Sequence, residues 1–202
     1  MAAMVARMST PPRILAFAGS LRRDSLNKKL VRIAAEGARA AGGEVTYLDL
    51  KELPLPVFDE DLEKADGLPP NAKRFKELLK SHQGFLISSP EYNSMPSGAL
   101  KNAIDWASRA EPGEAPLVCF RGKVCVLMSA SPGALGGLRA LPVVRNMLLN
   151  IHVIVLPDQL GLMKANEAFD EGGRLKDPRQ QAGAEALGAR LVDVLRRLSG
   201  PG

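Results

Sequence analysis

The sequence predicts an α/β fold in which one parallel sheet is covered by helices on both faces. Short apolar segments of strand length alternate along the chain with longer segments whose apolar residues recur at helical spacing. Loops rich in glycine, serine and proline separate these segments. With 202 residues, of which 46% are hydrophobic, the chain can bury one sizeable core. A single domain is therefore expected.

The first part of the chain predicts a strand, a helix and a second strand. Residues 13–18 form a short apolar run that a Gly-Ser pair ends. Apolar residues then recur at helical spacing over residues 25–41, until two glycines stop the helix. Residues 45–48 predict the second strand. Prolines and acidic residues make residues 53–70 an irregular connection.

The rest of the chain continues this alternation. Further helices are predicted at residues 71–81, 97–109, 138–149 and 179–198. Further strands are predicted at residues 84–89, 123–128 and 151–156. The first of these strands is apolar throughout, as expected for a strand covered on both faces. Trp106 is expected to be a core anchor, and residues 110–121 have the look of a variable loop and receive no assignment.

Five parallel strands joined by right-handed crossovers fit a flavodoxin-like three-layer sandwich with strand order 2-1-3-4-5. In that order a ligand binds beyond the carboxyl ends of the strands, beside strands one and three. We expect the domain to cover residues 13–198. Residues 1–12 contain no apolar stretch of signal-peptide length and end in Thr-Pro-Pro, so a short disordered leader is expected there.

Composition argues against several classes of function. The net charge of +5 is modest, and the basic residues form no stripe, so no nucleic-acid partner is expected. The apolar stretches are too short for membrane insertion. Cys119 and Cys125 are too far apart for a C-x-x-C pair, and with only His82 and His152 available no metal site is expected. We expect reduced thiols and a cytoplasmic location.

The loop after the first strand has the features of a phosphate site. It joins a strand to the start of a helix, where unpaired backbone N–H groups and the helix dipole attract an anion. Its candidate ligands are Ser20, Arg22, Ser25, Leu26 and Asn27. The loop is neither a P-loop nor a G-x-G-x-x-G fingerprint. Alternatively, Gly19 only makes a tight turn and Ser25 only caps the helix.

The loops after the third and fourth strands are the second and third candidates. Residues 90–97 place the flat apolar face of Tyr92 beside a backbone that can match alternating donors and acceptors. Residues 129–137 are mostly small, which lets the backbone approach a flat ligand closely. Candidate contacts in this third loop are Ser129, Ser131, Gly133 and Gly136. Alternatively, the prolines and glycines of both loops only form turns.

These segments resemble the NADPH-dependent FMN reductase family, which includes bacterial quinone, azo-dye and chromate reductases. The resemblance rests on G-S-L-R-x-x-S-x-N after the first strand, on P-E-Y-N followed by L-K-N-A-I-D-W, and on the small-residue segment after the fourth strand. In that family the P-E-Y-N segment contacts the flavin ring and ribityl chain. This implies the same role for Pro90, Glu91, Tyr92 and Asn93. Ser94 and Met95 depart from the family pattern, in which a second aromatic or Ser-Val is common.

The resemblance implies an enzyme that binds FMN non-covalently and uses NADPH or NADH as co-substrate. Hydride passes to the flavin and electrons then pass to a small acceptor such as a quinone, an azo compound, a flavin or chromate. A homodimer or homotetramer is also implied. No catalytic side chain is expected, because the cofactors perform the chemistry and the protein orients them.

Three alternatives remain open at this stage. The first is a flavin reductase that supplies free reduced FMN to a monooxygenase. The second is a flavodoxin-like electron carrier without enzymatic activity, although such carriers tend to be acidic and this chain is basic. The third is a nucleotide-binding hydrolase or interaction module, because fold alone does not fix chemistry.

Overall fold

The computed structural model of the chain describes residues 10–199. Residues 1–9 of the predicted leader lie outside the described residues. Residues 10–12 precede the first strand without regular structure.

The strands agree with the predicted pattern and include two short strands that the sequence did not reveal. They are β1 (Arg13–Ala18), β2 (Glu44–Asp49), β3 (Gly84–Ser88), β4 (Glu91–Tyr92), β5 (Met95–Pro96), β6 (Val124–Ala130) and β7 (Ile154–Leu162). The helices are α1 (Leu26–Ala40), α2 (Glu60–Asp66), α3 (Pro70–Ser81), α4 (Gly98–Ala107), α5 (Ala140–Asn150), α6 (Ala165–Ala168) and α7 (Pro178–Leu198). One 3-10 turn covers Leu50–Glu52.

The main sheet has the order β2-β1-β3-β6-β7, and all of its neighbouring strands are parallel. This is the flavodoxin-like order 2-1-3-4-5 when the sheet strands are counted along the chain, so the predicted fold class is confirmed. Ala18 pairs with Ser88, and Ser88 pairs with Met128. The carboxyl ends of β1, β3 and β6 therefore lie side by side, at the reversal of strand order where ligands bind in such sheets.

Helices cover both faces of the sheet and create two hydrophobic cores. One core lies under α1 and α7, and the other lies under α3, α4 and α5. Helices α1 and α7 touch through their backbones. A Cβ atom on Gly37 would lie 2.0 Å from the Glu185 carbonyl oxygen, and one on Gly188 would lie 1.8 Å from the Ala34 carbonyl oxygen. Only glycine permits this approach.

Trp106 is buried, as predicted, and its indole Nε1 donates a hydrogen bond to the carbonyl oxygen of Pro56 at 2.8 Å. The contact fastens α4 to the connection after β2. That connection was predicted to be irregular but contains α2, which starts where Asp59 caps the backbone N–H of Asp61. Helix α2 buries none of its residues. It has no apolar face, and a helix without one gives no periodic signal in the sequence.

The last sheet strand differs most from its prediction. Residues 151–153 form a turn, in which His152 has φ of 66°, and the strand begins only at Ile154 and runs to Leu162. Pro157, Asp158 and Gln159 are exposed within it. An edge strand tolerates proline and polar residues because one of its sides makes no ladder hydrogen bonds, and so the apolar pattern ended before the strand did.

Among residues 10–199, no helix is long and apolar enough to cross a membrane. In the same range, no group of three or more His, Cys, Asp or Glu side chains is arranged to hold a metal ion.

Candidate functional site

The loops after β1, β3 and β6 enclose a pocket at the carboxyl edge of the sheet. Its lining residues are Ser20, Arg22, Ser25, Leu26, Asn27, Pro90, Glu91, Tyr92, Ala130, Ser131 and Pro132. The structure thus brings together most of the residues predicted from the sequence. Asn93, Ser129, Gly133 and Gly136 lie nearby without lining the pocket.

The first loop offers hydrogen-bond donors at the start of α1. Ser25 caps the helix, because its Oγ accepts from the Lys28 backbone N–H at 3.4 Å. Within residues 10–199, no protein group accepts from the backbone N–H of Leu26 or Asn27. Ser25 therefore caps the helix, and the backbone N–H groups of Leu26 and Asn27 are still available to a ligand. The hydroxyl protons of Ser20 and Ser25 are also available, since both Oγ atoms serve the protein as acceptors.

Arg22 adds a positive charge to the same pocket. Its side chain is exposed and forms no ion pair within the described part of the chain. Arg23 is different, because its side chain points into solvent beside Asp24. A guanidinium, two hydroxyls and a helix N-terminus are a combination that suits a phosphate group.

The buried side-chain amide of Asn27 connects the elements that border the pocket. Its Nδ2 donates to the carbonyl oxygen of Ala130 at 2.8 Å, and its Oδ1 accepts from the Ala130 N–H at 2.9 Å and from the Ser88 hydroxyl at 2.8 Å. One buried amide thus joins the start of α1 to the ends of β3 and β6. The sequence predicted Asn27 as a ligand contact but did not reveal these three hydrogen bonds. Its second Nδ2–H is still available to donate to a ligand.

Gly19 forms backbone hydrogen bonds and close contacts with neighbouring elements in addition to its position in the loop after β1. Its N–H donates to the carbonyl oxygen of Ser88 at 2.9 Å, and its own carbonyl accepts from the hydroxyl of Ser97. A Cβ atom here would lie 2.7 Å from the Cβ of Leu100. The position therefore fixes the loop after β1 against the start of α4.

The loop after β3 is a two-residue hairpin formed by β4 and β5. Its turn residues Asn93 and Ser94 have φ of 53° and 67°, as a type I′ turn requires. Tyr92 and Met95 are paired across the hairpin, so their side chains share a face, and they are 53% and 54% exposed. The hairpin therefore presents a flat aromatic surface at the pocket mouth, with the unusual residue Met95 beside it.

Glu91 anchors this hairpin to α5. Its side chain is only 7% exposed, and its carboxylate accepts from the N–H of Arg139 at 3.0 Å, from the N–H of Ala140 at 3.1 Å and from the Arg139 Nε at 2.8 Å. Burial alone would raise the pKa of Glu91, but these hydrogen bonds outweigh it and hold the pKa below its usual range. The sequence did not reveal the role of Arg139, because 48 residues separate it from Glu91.

The loop after β6 is shaped by close contacts between small residues. Strand β6 extends to Ala130, so Ser129 belongs to the strand rather than to the predicted loop. Ser129 is fully buried, and its Oγ has no hydrogen-bond partner within residues 10–199. A Cβ atom on Gly137, which has φ of 83°, would lie 1.8 Å from that oxygen. The loop is tied to α6 by a bond of 3.0 Å from the Ala165 N–H to the Ser131 carbonyl oxygen.

The enclosed space between the three loops measures about 60 Å³. Pockets that enclose a whole small ligand have roughly 300–1,000 Å³. The space therefore suits a phosphate-sized group, and a larger flat group would lie across the open rim beside Tyr92. A cavity of about 580 Å³ between β7 and α7 is larger, but small residues and surface ion pairs such as Arg190 with Asp193 line it.

The two cysteines and His82 lie outside this site. Burial raises the pKa of Cys119 to about 11 and raises the pKa of Cys125 further. Burial lowers the pKa of His82, whose ring nitrogens lie 2.6 Å from the Leu78 carbonyl oxygen and 2.8 Å from the Thr46 hydroxyl. The thiols are thus buried in the core, and both ring nitrogens of His82 have protein partners.

Residues 12–167 match the model of the NADPH-dependent FMN reductase family. The chain belongs to this family. It is 38% identical over 180 residues to a probable NADPH:quinone oxidoreductase of Oryza sativa subsp. japonica, with 84% of this chain and 83% of the relative covered. It is 36% identical over 195 residues to an NAD(P)H-dependent FMN reductase of Pseudomonas aeruginosa, with 96% and 100% covered.

Solved structures agree with the fold. A flavoenzyme NAD(P)H:acceptor oxidoreductase from Paracoccus denitrificans superposes with a TM-score of 0.78 at 26% identity, with 92% of this chain and 98% of that chain covered. A flavodoxin from the domain Archaea has a TM-score of 0.59 at 8% identity, with 91% and 99% covered. The second likeness concerns the fold alone.

Proposed function

We propose that this protein is an NAD(P)H-dependent oxidoreductase that binds FMN non-covalently and passes electrons to a quinone or a similar small acceptor. The proposal is supported above all by the backbone N–H groups at the start of α1, which have no partner within residues 10–199 and share one pocket with Ser20, Ser25 and Arg22. A phosphate ester satisfies all of these donors at once.

The residues present fit FMN at both of its ends. The phosphate would lie in the enclosed part of the pocket, against the N–H groups of Leu26 and Asn27. The ring would lie across the rim, where Tyr92 offers an apolar face and the loop after β6 allows close backbone approach. Ser129, which the sequence placed among the ring contacts, is fully buried under Gly137 and does not line the pocket, so it supports the loop rather than contacting the ligand.

The chain contributes binding and orientation rather than acid or base catalysis. Bound FMN supplies the ability to take a hydride from a reduced nicotinamide and to pass electrons on. Among the described residues, three titratable side chains line the pocket: Glu91 is committed to Arg139 and α5, Arg22 faces the proposed phosphate, and Tyr92 offers its ring face at the rim. The residues of the three loops therefore hold the reactants in position, which is the main service such a transfer needs.

The acceptor is proposed from the open rim. An exposed apolar edge formed by Tyr92 and Met95 favours a flat, uncharged molecule. A quinone has this shape and chemistry, and relatives in rice and Pseudomonas putida are named quinone oxidoreductases or quinone reductases.

The proposal is tested by titrating the purified protein with FMN and following flavin fluorescence, then adding NADPH and NADH under anaerobic conditions. We expect saturable binding, bleaching of the flavin absorbance near equivalence, and steady oxidation of the nicotinamide once a quinone is added. Bleaching that occurs without steady turnover would indicate an electron carrier. Absence of any FMN binding would contradict the proposal.

Arg22→Ala identifies the phosphate end of the site. Loss of a charge-assisted contact to phosphate should weaken FMN binding by about 2 kcal/mol, or roughly thirtyfold, and leave the thermal midpoint of the flavin-free protein almost unchanged, because Arg22 is exposed. Arg23→Ala is the matched control and should bind FMN normally, since its side chain is 90% exposed beside Asp24. Equal affinity of the Arg22→Ala variant and the unmodified protein would remove the phosphate assignment.

A further inference from the structure

The Glu91–Arg139 pair connects the two loops that flank the proposed ring position. Glu91 begins the hairpin β4–β5, and Arg139 stands at the start of α5, directly after the loop that follows β6. No other ion pair of the described residues joins these two loops. The pair therefore fixes the distance between one wall of the site and the other.

The geometry of this pair differs from that of ordinary surface ion pairs. Arg197 and Asp193 lie one turn apart on α7, and such exposed pairs contribute little. The Glu91 carboxylate is instead buried and accepts from two backbone N–H groups and from the guanidinium of Arg139. It thereby caps α5, where the helix dipole favours a negative charge. The bonds are charge-assisted and their acceptor is shielded from water, although the Arg139 side chain is 58% exposed.

The hairpin needs such an anchor. It has only two residue pairs, Glu91 with Pro96 and Tyr92 with Met95, and a hairpin of this length is unstable by itself. Asn93 and Ser94 both adopt positive φ at its turn, which costs free energy for residues other than glycine. Since Glu91 directly precedes Tyr92, fixing its carboxylate restrains the backbone from which the Tyr92 ring projects.

We propose that Arg139 is a positioning residue, which acts through Glu91 to hold the Tyr92 hairpin in the conformation that receives the flavin ring. The flavin part of this inference rests on the proposed function. The hairpin part does not, because it concerns the flavin-free protein.

The test is a double-mutant cycle with Glu91→Gln, Arg139→Gln and the double variant. In the flavin-free proteins, amide hydrogen exchange over residues 91–96 should become faster in both single variants, and the double variant should exchange no faster than Glu91→Gln. FMN affinity should fall about tenfold in each single variant and no further in the double variant than in Glu91→Gln, because the Arg139 side chain acts only through the Glu91 carboxylate. Arg139→Lys, which keeps the charge but not the forked geometry, should recover part of the affinity.

The matched control is the Arg109–Glu63 pair, in which Arg109 Nε bonds to both Glu63 oxygens at 2.8 and 2.9 Å. This pair joins α2 to the end of α4, away from the pocket. Arg109→Gln should alter neither FMN affinity nor exchange over residues 91–96. Thermal midpoints of all variants show whether a loss of affinity merely follows a loss of stability.

Three results would overturn the inference. One is unchanged exchange over residues 91–96 in Glu91→Gln and Arg139→Gln. Another is a double variant whose loss of affinity is the product of the single losses, since Arg139 would then act on the ligand directly. The third is an equal loss in Arg109→Gln. If the unmodified protein binds no FMN, the proposed function fails, and the exchange measurement still decides whether the pair fixes the hairpin.

Discussion

The amino and carboxyl ends of the sheet strands differ in how their nearby polar groups are paired. At the amino edge, Lys123 donates to the carbonyl oxygens of Lys80 and His82, and close by Lys76 and Lys80 share the carboxylate of Glu114. At the carboxyl edge, two helix N–H groups and a buried hydroxyl have no partner within residues 10–199. Groups that are paired within the protein stabilise the fold, whereas the unpaired helix N–H groups are available to a ligand. The contrast separates the stabilising edge from the binding edge.

The largest expected effect is on stability and follows from Lys76→Met. The side chain of Lys76 is completely buried, and its ammonium neutralises Glu114 while also bonding to the carbonyl oxygen of Arg109. Its removal leaves Glu114 with Lys80 alone and takes the ammonium away from Glu111 and from the Arg109 carbonyl, so the free energy of unfolding should fall by about 3 kcal/mol. Urea denaturation measures this loss.

Glu77→Gln is the control for that variant, because Glu77 pairs with Lys80 at the surface. It should change the free energy of unfolding by less than about 0.5 kcal/mol. Any Lys76→Met protein that remains folded should bind FMN with unchanged affinity. A large loss of flavin affinity in this folded protein would break the separation between the two edges.

A smaller effect should appear on acidification. Hydrogen bonds from Lys76 and Lys80 lower the pKa of Glu114 to about 2. Because the pKa in the folded state is depressed, the contribution of Glu114 is fully present above its unfolded pKa of about 4.5 and is lost as the pH falls toward 2. We expect a loss of about 1.5 kcal/mol over this interval, since Glu114 keeps some contact with water.

Urea denaturation at about pH 6, 4 and 2.5, which span the interval of titration, measures this loss. The variant Glu114→Gln removes the titrating group, so its free energy of unfolding should depend less steeply on pH between these values. Parallel pH profiles for the two proteins would show that another carboxylate dominates.

The smallest expected effect on stability comes from Ser129→Ala at the carboxyl end of β6. Ser129→Ala removes a buried hydroxyl that has no partner among the described residues. Relief of that unmet hydrogen bond should raise the free energy of unfolding of the flavin-free protein by about 1 kcal/mol. FMN affinity should stay unchanged, because the hydroxyl is buried and does not line the pocket. A destabilised flavin-free variant would mean that the hydroxyl already has a partner, such as a water molecule.

Much of the fold could be predicted because its strongest signals are local. After the exposed Arg13, strand β1 is continuously apolar, and β3 is apolar up to Ser88, since helices cover both faces of these strands. Helices α1 and α7 repeat apolar residues every three or four positions. The end of β7 gave no such signal because it lies at the sheet edge. Helix α6 has only four residues, which is too short for a periodic pattern.

The candidate site was predictable to a similar degree. The role of a residue whose partners are close in sequence, such as Ser25 at the start of α1, could be predicted from the local pattern. Contacts between distant segments were not. Asn27 bonds to Ala130 across 103 positions, and Arg139 bonds to Glu91 across 48 positions. No local pattern encodes such pairs, because only the completed sheet brings their loops together.

The close packing of α1 on α7, where Gly37 approaches Glu185 and Gly188 approaches Ala34, has a consequence for how the protein acquires its shape. Helix α1 begins at the proposed phosphate loop, yet its opposite face is completed by α7, the final helix described. Contacts between segments so far apart along the chain must overcome a large entropy of loop closure, which slows folding. During synthesis the loop near Ser20 would therefore settle into place only after most of the polypeptide has emerged from the ribosome.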